Sequence, residues 1–160
     1  MKSEYSYMFI ALEDLQDAQD LFNLGRYNKS VKYCQQFIEK AMKEIIYRNT
    51  PESQDQALKD KVLLSSHNLL NLADRVCEIL GESYTSTERR YFRDLKNFYF
   101  NVSYPGDAYE RVDKETAKDC LIFALTFKAK IEQQQLVLSK NIEDHFKKPF
   151  EKSTAVQKNV

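Results

Sequence analysis

The sequence has 160 residues, of which 42% are hydrophobic and 30% are charged, with 24 basic residues balanced by 24 acidic ones. This composition predicts one domain with a hydrophobic core, and the zero net charge excludes a global field that draws the whole protein to nucleic acid or membrane. The glycines Gly25, Gly81 and Gly106 lie far apart, which excludes the glycine clusters of a P-loop or a dinucleotide fingerprint. Few Gly and Pro residues also disfavour a β-sandwich or barrel. We therefore expect an all-α protein.

The sequence offers no pattern typical of a metal or cofactor site. Cys34, Cys77 and Cys120 form no C-x-x-C pair, and the histidines are His67 and His145, so zinc-ligand spacing is missing. Three reduced cysteines are typical of a reducing compartment. No apolar stretch approaches the length of a membrane span. We expect a cytoplasmic protein without cofactor or metal.

The first part of the chain predicts a helical hairpin. Apolar residues recur at helical spacing from Ala11 to Phe22, and Gly25 stands where a left-handed residue ends a helix. A second apolar stripe runs from Tyr27 to about Arg48. Because the joint between the stripes is short, the two helices are expected to lie antiparallel.

The middle of the chain predicts a weaker helix followed by a clear one. Thr50 and Pro51 close the second helix and are expected to cap and begin a short next one, within a polar connection over residues 52–65. A third apolar stripe predicts a helix that is capped by Ser66 and ended by Gly81.

Two further helices follow. Thr85 and Glu88 form a capping box before an aromatic-rich fourth helix. Tyr104-Pro105-Gly106-Asp107 predicts a turn with a positive φ at the glycine. Asp113 then caps a long fifth helix that keeps its period to about Ser139. We expect an up-and-down bundle of four to five helices over residues 1–139, and a basic, partly disordered tail over residues 140–160.

Several of these segments resemble the HEPN domain family. The similarity lies in Leu12-x-Asp14-Leu15-x-x-Ala18-x-x-Leu21 and in Gly25-Arg26-Tyr27-x-x-Ser30-Val31-x-x-Cys34-Gln35-Gln36-x-Ile38-Glu39-Lys40-x-x-Lys43. His67-Asn68-Leu69 is similar to the family's His-Asp-Leu segment, and Ser103-Tyr104-Pro105-Gly106-Asp107 resembles its Arg-Tyr-Pro-Asp turn. The resemblance extends over residues ~8 to ~139.

The resemblance implies a compact helical bundle that forms a homodimer, with a cleft at or near the interface and an association with nucleotides or RNA. Members of the family are nucleotide-binding partners of minimal nucleotidyltransferases, ribonuclease toxins or inactive accessory modules. A transferase itself requires Gly-Ser followed by paired aspartates that hold Mg²⁺. The sequence has no Gly-Ser, so any transferase is expected to be a separate chain.

The ribonuclease branch of the family carries an Arg-x4–6-His motif, in which the two side chains stabilise phosphate charge and move a proton. Neither His67 nor His145 follows an arginine at that spacing, and Ser103 stands where the family's turn has arginine. Ser103 carries no charge and no guanidinium fork. We therefore expect the protein not to be an enzyme.

The second helix is basic, whereas the first is acidic, which indicates either mutual attraction or a phosphate-binding stripe. A tyrosine at the turn, Tyr104 or Tyr109, is expected to offer a stacking surface, while most other aromatic residues are expected to be buried. Structural roles compete at each position, such as local hydrogen bonds of His67 or closure of the turn by Asp107. The candidate ligand-binding residues are Arg26, Gln36, Lys40, His67, Tyr104 and Asp107.

Two functions are consistent with these features. The first is a non-catalytic, dimeric module that binds nucleotide or RNA, or that serves a separate nucleotidyltransferase. The alternative is a helical module that binds another protein, as in a toxin–antitoxin pair. An enzyme that uses Arg26, Glu39 and His67 is supported by no spacing in the sequence.

Overall fold

The computed structural model describes residues 6–49, 51, 53–107 and 109–153, with side chains described as far as residue 135. Within these residues the chain forms helices and no strands. The helices are α1 (Tyr7–Asn23), α2 (Tyr27–Arg48), α3 (Gln54–Leu64), α4 (Leu69–Leu80), α5 (Ser86–Asn101) and α6 (Lys114–Ser153). The predicted all-α bundle is confirmed. The described residues hold six helices because the segment predicted as weakly helical forms α3.

Helix α2 is the centre of the bundle and packs against all five other helices. Its apolar side, which includes Phe37, Ile38, Met42 and Ile45, is fully or almost fully buried. Neighbouring polar residues of this helix are also buried, namely Gln35, Glu39, Lys43 and Glu44. Buried polar groups require hydrogen bonds or ion pairs, so α2 must have partners for them within the bundle.

The predicted hairpin of α1 and α2 is confirmed. Gly25 has φ 73°, and its N–H donates to the Phe22 carbonyl at 2.9 Å while the Arg26 N–H donates to the Leu21 carbonyl at 2.8 Å. These two bonds are the Schellman motif, which places a left-handed residue after the helix. The Ser30 hydroxyl donates to the Ala18 carbonyl at 2.7 Å and fastens α2 to α1.

Some predicted helix ends are correct. Gly81 is left-handed at the end of α4, and Asp113 Oδ1 accepts from the Thr116 N–H at 2.7 Å. The Thr85 hydroxyl accepts from the Glu88 N–H, but the Glu88 carboxylate accepts from Lys130 at 2.8 and 2.9 Å instead of completing the box. A lysine on the packed helix α6 is a stronger donor than a backbone N–H.

Other predicted ends are wrong. Asn68 caps α4 by accepting from the Leu70 and Asn71 N–H groups, whereas the Ser66 hydroxyl accepts from the Asn68 N–H. Helix α3 begins at Gln54 after Ser53, so Pro51 lies before the helix, and Thr50 lies outside the described residues.

The C-terminal helix does not end near residue 139 but continues to Ser153. Its charged C-terminal part lacks an apolar period, but a helix already formed against the bundle extends at one hydrogen bond per added residue. Residues 154–160, which also belong to the predicted tail, lie outside the described residues. The division of the chain into a bundle and a tail remains a prediction.

The segment between α5 and α6 folds back on the bundle. It bends at the predicted turn, where Gly106 has φ 154° and its carbonyl accepts from the Tyr109 N–H at 3.0 Å. The Glu110 N–H donates to the Asn101 carbonyl at 2.9 Å. This course brings residues 109–112 to the beginning of α2. In the part of the chain that the structure describes, no helix has the length and apolar character needed to cross a membrane.

Candidate nucleotide-binding surface

A basic groove of about 550 Å³ lies where the loop before α6 meets the beginning of α2. The residues that line it include the cationic residues Arg26, Lys29 and Arg111 and the tyrosines Tyr27 and Tyr109. Among the described residues, no aspartate or glutamate lines this groove. A groove lined by cations and aromatic rings, without acids, is suited to a phosphate group attached to a planar base.

Asn28 holds the two walls of this groove together. Its amide nitrogen donates to the Glu110 carbonyl at 2.9 Å and to the Tyr109 hydroxyl at 3.3 Å. Its amide oxygen accepts from the Val112 N–H at 2.8 Å. One side chain in the first turn of α2 therefore fixes the backbone of the loop that carries Tyr109 and Arg111.

The beginning of α2 adds to the positive potential of the basic groove. Arg26 is the N-cap residue, and its side chain makes no capping hydrogen bond. The first N–H groups of a helix carry partial positive charge that favours anions. Arg26, a cationic residue, lines the groove at the same end.

A second groove, of about 410 Å³, adjoins the first at the predicted turn. Phe100, Tyr104, Asp107 and Tyr109 are among its lining residues, and Tyr104 and Tyr109 are 60% and 48% exposed. Tyr109 lines both grooves. The structure thus brings three of the predicted residues, Arg26, Tyr104 and Asp107, to two neighbouring grooves that share one ring.

The other aromatic residues are mostly packed, as predicted. Phe92 and Phe127 are buried and make an edge contact with ring centroids 5.7 Å apart. Tyr91 and Phe123 stack at 4.4 Å. The tyrosines at the turn differ from these residues by their exposure.

His67 lies away from the basic groove, in a cluster built on α2. Its Nδ1 is 3.1 and 3.2 Å from the two carboxylate oxygens of Glu39, and its ring stacks on Tyr99 with centroids 5.6 Å apart. Glu39 also accepts from Lys43 Nζ and Gln35 Nε2, each at 2.7 Å. The imidazole is half-exposed, whereas the carboxylate beneath it is buried.

Gln36 and Lys40 make internal contacts. Gln36 Nε2 donates to Gln35 Oε1 at 2.8 Å, which joins it to the Glu39 cluster. Lys40 is half-buried and forms an ion pair with Asp14 of α1. Burial raises the pKa of the Asp14 carboxyl above its ordinary value, although the hydrogen bond from Lys40 opposes this shift. Lys40 thus links the two helices of the hairpin and does not reach the basic groove as one of its lining residues.

A groove of similar size, about 560 Å³, lies between α3 and α4 but has a different electrostatic character. Its Arg75 guanidinium is bonded to Asp60 at 2.8 and 3.1 Å and to Glu78 at 3.0 Å. The hydrogen bond to Asp60 raises the pKa of Arg75. Because these carboxylates already neutralise the cation, this groove is less suited to an anion than the basic groove.

Sequence reasoning missed Asn28 and Arg111 as parts of a site. Asn28 lay beside the recognised Gly-Arg-Tyr motif, which could have directed attention to it. Arg111 lies in an irregular loop, where no helical or strand period indicates which way a side chain points. Within the described residues, no group of three or more His, Cys, Asp or Glu side chains is placed to hold a metal ion.

Comparison with known proteins identifies one family. A family model described as HEPN domain matches residues 5–134, most of the 160 residues. No curated protein and no solved structure shows a significant match to the chain.

Proposed function

The chain belongs to the HEPN domain family, and on that premise we propose that it is a non-catalytic module that binds nucleotide or RNA through the basic groove. It works in the cytoplasm as a homodimer, either by itself or as the accessory subunit of a separate nucleotidyltransferase. The family match and the all-helical fold support a nucleotide- or RNA-related helical module. The observation that carries the specific proposal is the acid-free lining of the basic groove.

The groove supplies two kinds of interaction with a nucleotide. Arg26, Lys29 and Arg111 supply cationic donors, and guanidinium groups bind phosphate oxygens through two parallel hydrogen bonds. Tyr109, which is 48% exposed, supplies a ring on which a base stacks, with about 1–3 kcal/mol for each stacked base. The ring of Tyr27 packs against Phe22 and forms part of the wall. Among the described residues, no carboxylate forms an ion pair with these three cations. Their charge is therefore available to a ligand.

The surroundings of His67 support a binding role over cleavage. Its contacts are the Glu39 carboxylate and the Tyr99 ring, and no arginine forms a hydrogen bond with it in the described part of the chain. Ser103, at the position of the family's arginine, has a buried hydroxyl without a hydrogen-bond partner among the described residues. Cleavage of the family type uses an arginine and a histidine together.

Exposed apolar side chains on neighbouring helices support self-association. Phe9 and Leu12 on α1 and Ile122 and Leu125 on α6 are exposed, and α1 packs against α6. Burial of apolar side chains favours association. Light scattering coupled to size exclusion tests the dimer, and a monomer at micromolar concentration would contradict it.

The nucleic-acid proposal is tested with a fluorescein-labelled single-stranded RNA and the Arg26→Ala/Arg111→Ala variant. We expect at least tenfold weaker binding by anisotropy, because two phosphate contacts are lost. The slope of log affinity against log salt should fall by about 1.4, from ~0.7 for each lost contact with a single strand.

The matched control is Lys59→Ala/Lys61→Ala, which removes two exposed cations from α3. Its affinity should stay within about twofold of the original protein. Equal binding by both double variants would contradict the assignment of the groove, and cleavage of the RNA by the pure protein would contradict the non-catalytic role.

A protein-binding module is the second candidate, and α3 favours it. Leu58 and Val62, one helical turn apart, are 65% and 66% exposed, as in a helix that docks with another helix. A toxin, antitoxin or transferase encoded by a neighbouring gene should then co-purify with the chain, and Leu58→Asp/Val62→Asp should abolish the complex. No binding of nucleotides or RNA together with such a complex would favour this candidate.

A further inference from the structure

The carboxylate of Glu39 is surrounded by hydrogen-bond donors. Lys43 and Gln35 each donate to it at 2.7 Å, to different oxygens. The Glu39 and Lys43 side chains are 4% and 7% exposed. A buried carboxylate with a lysine partner and an amide donor is an ionised acceptor, since its charge is balanced and its oxygens are engaged.

This arrangement fixes the orientation of the His67 proton. Both Glu39 oxygens lie within 3.2 Å of His67 Nδ1, and an ionised carboxylate accepts but does not donate hydrogen bonds. In the uncharged imidazole, the proton is therefore on Nδ1 and the lone pair is on Nε2. Because the imidazole is 54% exposed, it presents an oriented hydrogen-bond acceptor at the surface.

Ring contacts lead from His67 to Phe100, which lines the same groove as Tyr109. His67 stacks on Tyr99, and Tyr99 makes an edge contact with Phe100 at 5.0 Å. Phe100 and Tyr109 line the groove at the turn, and Tyr109 also lines the basic groove. Exposed rings such as those of Phe100 and Tyr109 are typical of surfaces that bind single strands by stacking.

The length of this path exceeds one nucleotide. Tyr27 and Glu39 are twelve residues apart on α2, or about 18 Å at ~1.5 Å per residue. Stacked nucleotides in one strand advance about 3.4 Å each, so about six of them span the distance. A ligand that reaches both places is therefore a short single strand.

We infer that His67, positioned by Glu39, reads a base of a bound single strand. It selects a base whose Watson–Crick edge carries an amino group, cytosine or adenine, over a base that carries a carbonyl group at that position. This inference rests on the proposed function and extends it from phosphate binding to base selection. The amino group of cytosine donates a hydrogen bond, whereas the O4 oxygen of uracil only accepts one. Nε2 accepts from the first base and repels the second.

The test compares two labelled RNA hexamers, one of cytidine and one of uridine, which have rings of the same size. Binding of both hexamers is measured by anisotropy at pH 8 in the same buffer. We expect the cytidine hexamer to bind about five- to tenfold more tightly, as for one correct hydrogen bond at a base edge.

Two variants separate the roles of the histidine and the carboxylate. His67→Phe keeps a ring against Tyr99 but has no acceptor. The preference should therefore disappear, because the cytidine hexamer loses a hydrogen bond and the uridine hexamer loses the repulsion from Nε2. Glu39→Gln lets the imidazole proton occupy either nitrogen, so the preference should fall by at least half. A merely structural role of Glu39 would change both affinities equally and leave their ratio unchanged.

Equal binding of the hexamers by the original protein, or a preference that survives in His67→Phe, would overturn the inference. Equal binding that is lost in Arg26→Ala/Arg111→Ala would overturn it while leaving the proposed function intact. Failure of both hexamers to bind would overturn both. Circular dichroism confirms that each variant is folded. If Glu39→Gln does not fold, the cytidine preference of His67→Phe, a variant at a half-exposed position, tests the inference by itself.

Discussion

The side-chain oxygen of Asn28, in the first turn of α2, accepts a hydrogen bond at 2.8 Å from the backbone N–H of Val112, which is 84 positions later in the sequence. With its amide nitrogen bound to Glu110 and Tyr109, Asn28 ties the loop before α6 to the amino end of α2. The shape of the basic groove therefore depends on an uncharged residue.

We predict that Asn28→Ala weakens RNA binding about three- to tenfold without removing a cation, because the loop that carries Tyr109 and Arg111 loses three hydrogen bonds. Stability should fall by about 1–3 kcal/mol, since partners of the amide lose their bonds. Anisotropy and urea unfolding measure the two effects. Asn97→Ala, on the exposed side of α5, is the control. Unchanged RNA affinity in Asn28→Ala would show that the hydrogen bonds of Asn28 do not shape the site.

The pair of Lys43 and Glu39 predicts a strong coupling in stability. Lys43→Met leaves the Glu39 carboxylate buried without its cation, and we expect a loss of about 3 kcal/mol in the free energy of unfolding. Lys43→Met/Glu39→Gln should be less destabilised than the sum of the single variants, because the isolated charge is removed. Urea unfolding of the four proteins measures the cycle, and strict additivity would argue against the pair.

The N-cap of α6 predicts a pH dependence. The hydrogen bond from the Thr116 N–H lowers the pKa of Asp113, so its contribution to stability is present above the ordinary aspartate pKa and is lost as the pH falls through the folded-state pKa. Asp113→Ala should therefore lower Tm at pH 7, and the difference from the original protein should shrink below about pH 4. Asp119→Ala, at an exposed position of the same helix, is the control. Its difference in Tm from the original protein should not shrink as the pH falls.

Gly25 predicts a conformational effect without a steric one. An added Cβ would meet no atom within 4 Å, but φ is +73°. Gly25→Ala should therefore destabilise the protein by about 1 kcal/mol through the left-handed backbone alone. Asn tolerates this region better than Ala, so Gly25→Asn should be less destabilised. Equal stability of the two variants in thermal unfolding would contradict this explanation.

Local chemistry explains which features could be predicted from the sequence. Gly25 and Gly81 end their helices through their own backbone freedom, and Asp113 caps through a residue three positions away, so nearby residues suffice. The predicted cap of α4, Ser66, is wrong because Asn68 caps this helix. Serine and asparagine are both good caps, and only the packing of the helix decides where its first turn lies.

The candidate site could be predicted only where it depends on nearby residues. Arg26 and the tyrosines at the turn follow from motif and composition, and the structure places them at the two adjoining grooves. The basic stripe of α2 predicts Lys40 as a ligand-binding cation, but Lys40 pairs with Asp14, which lies on another helix. Arg111 belongs to the groove because of Asn28, and no local pattern relates residues so distant in sequence.

At the joint between α1 and α2, the backbone and the side chain of one residue have separate tasks. The Arg26 N–H closes the end of α1 by binding the Leu21 carbonyl, while Arg26 contributes a cation to the lining of the basic groove. Any residue except proline supplies that N–H. The charge at position 26 is thus free to change, by evolution or by design, to suit another ligand while the hairpin that carries it keeps its shape.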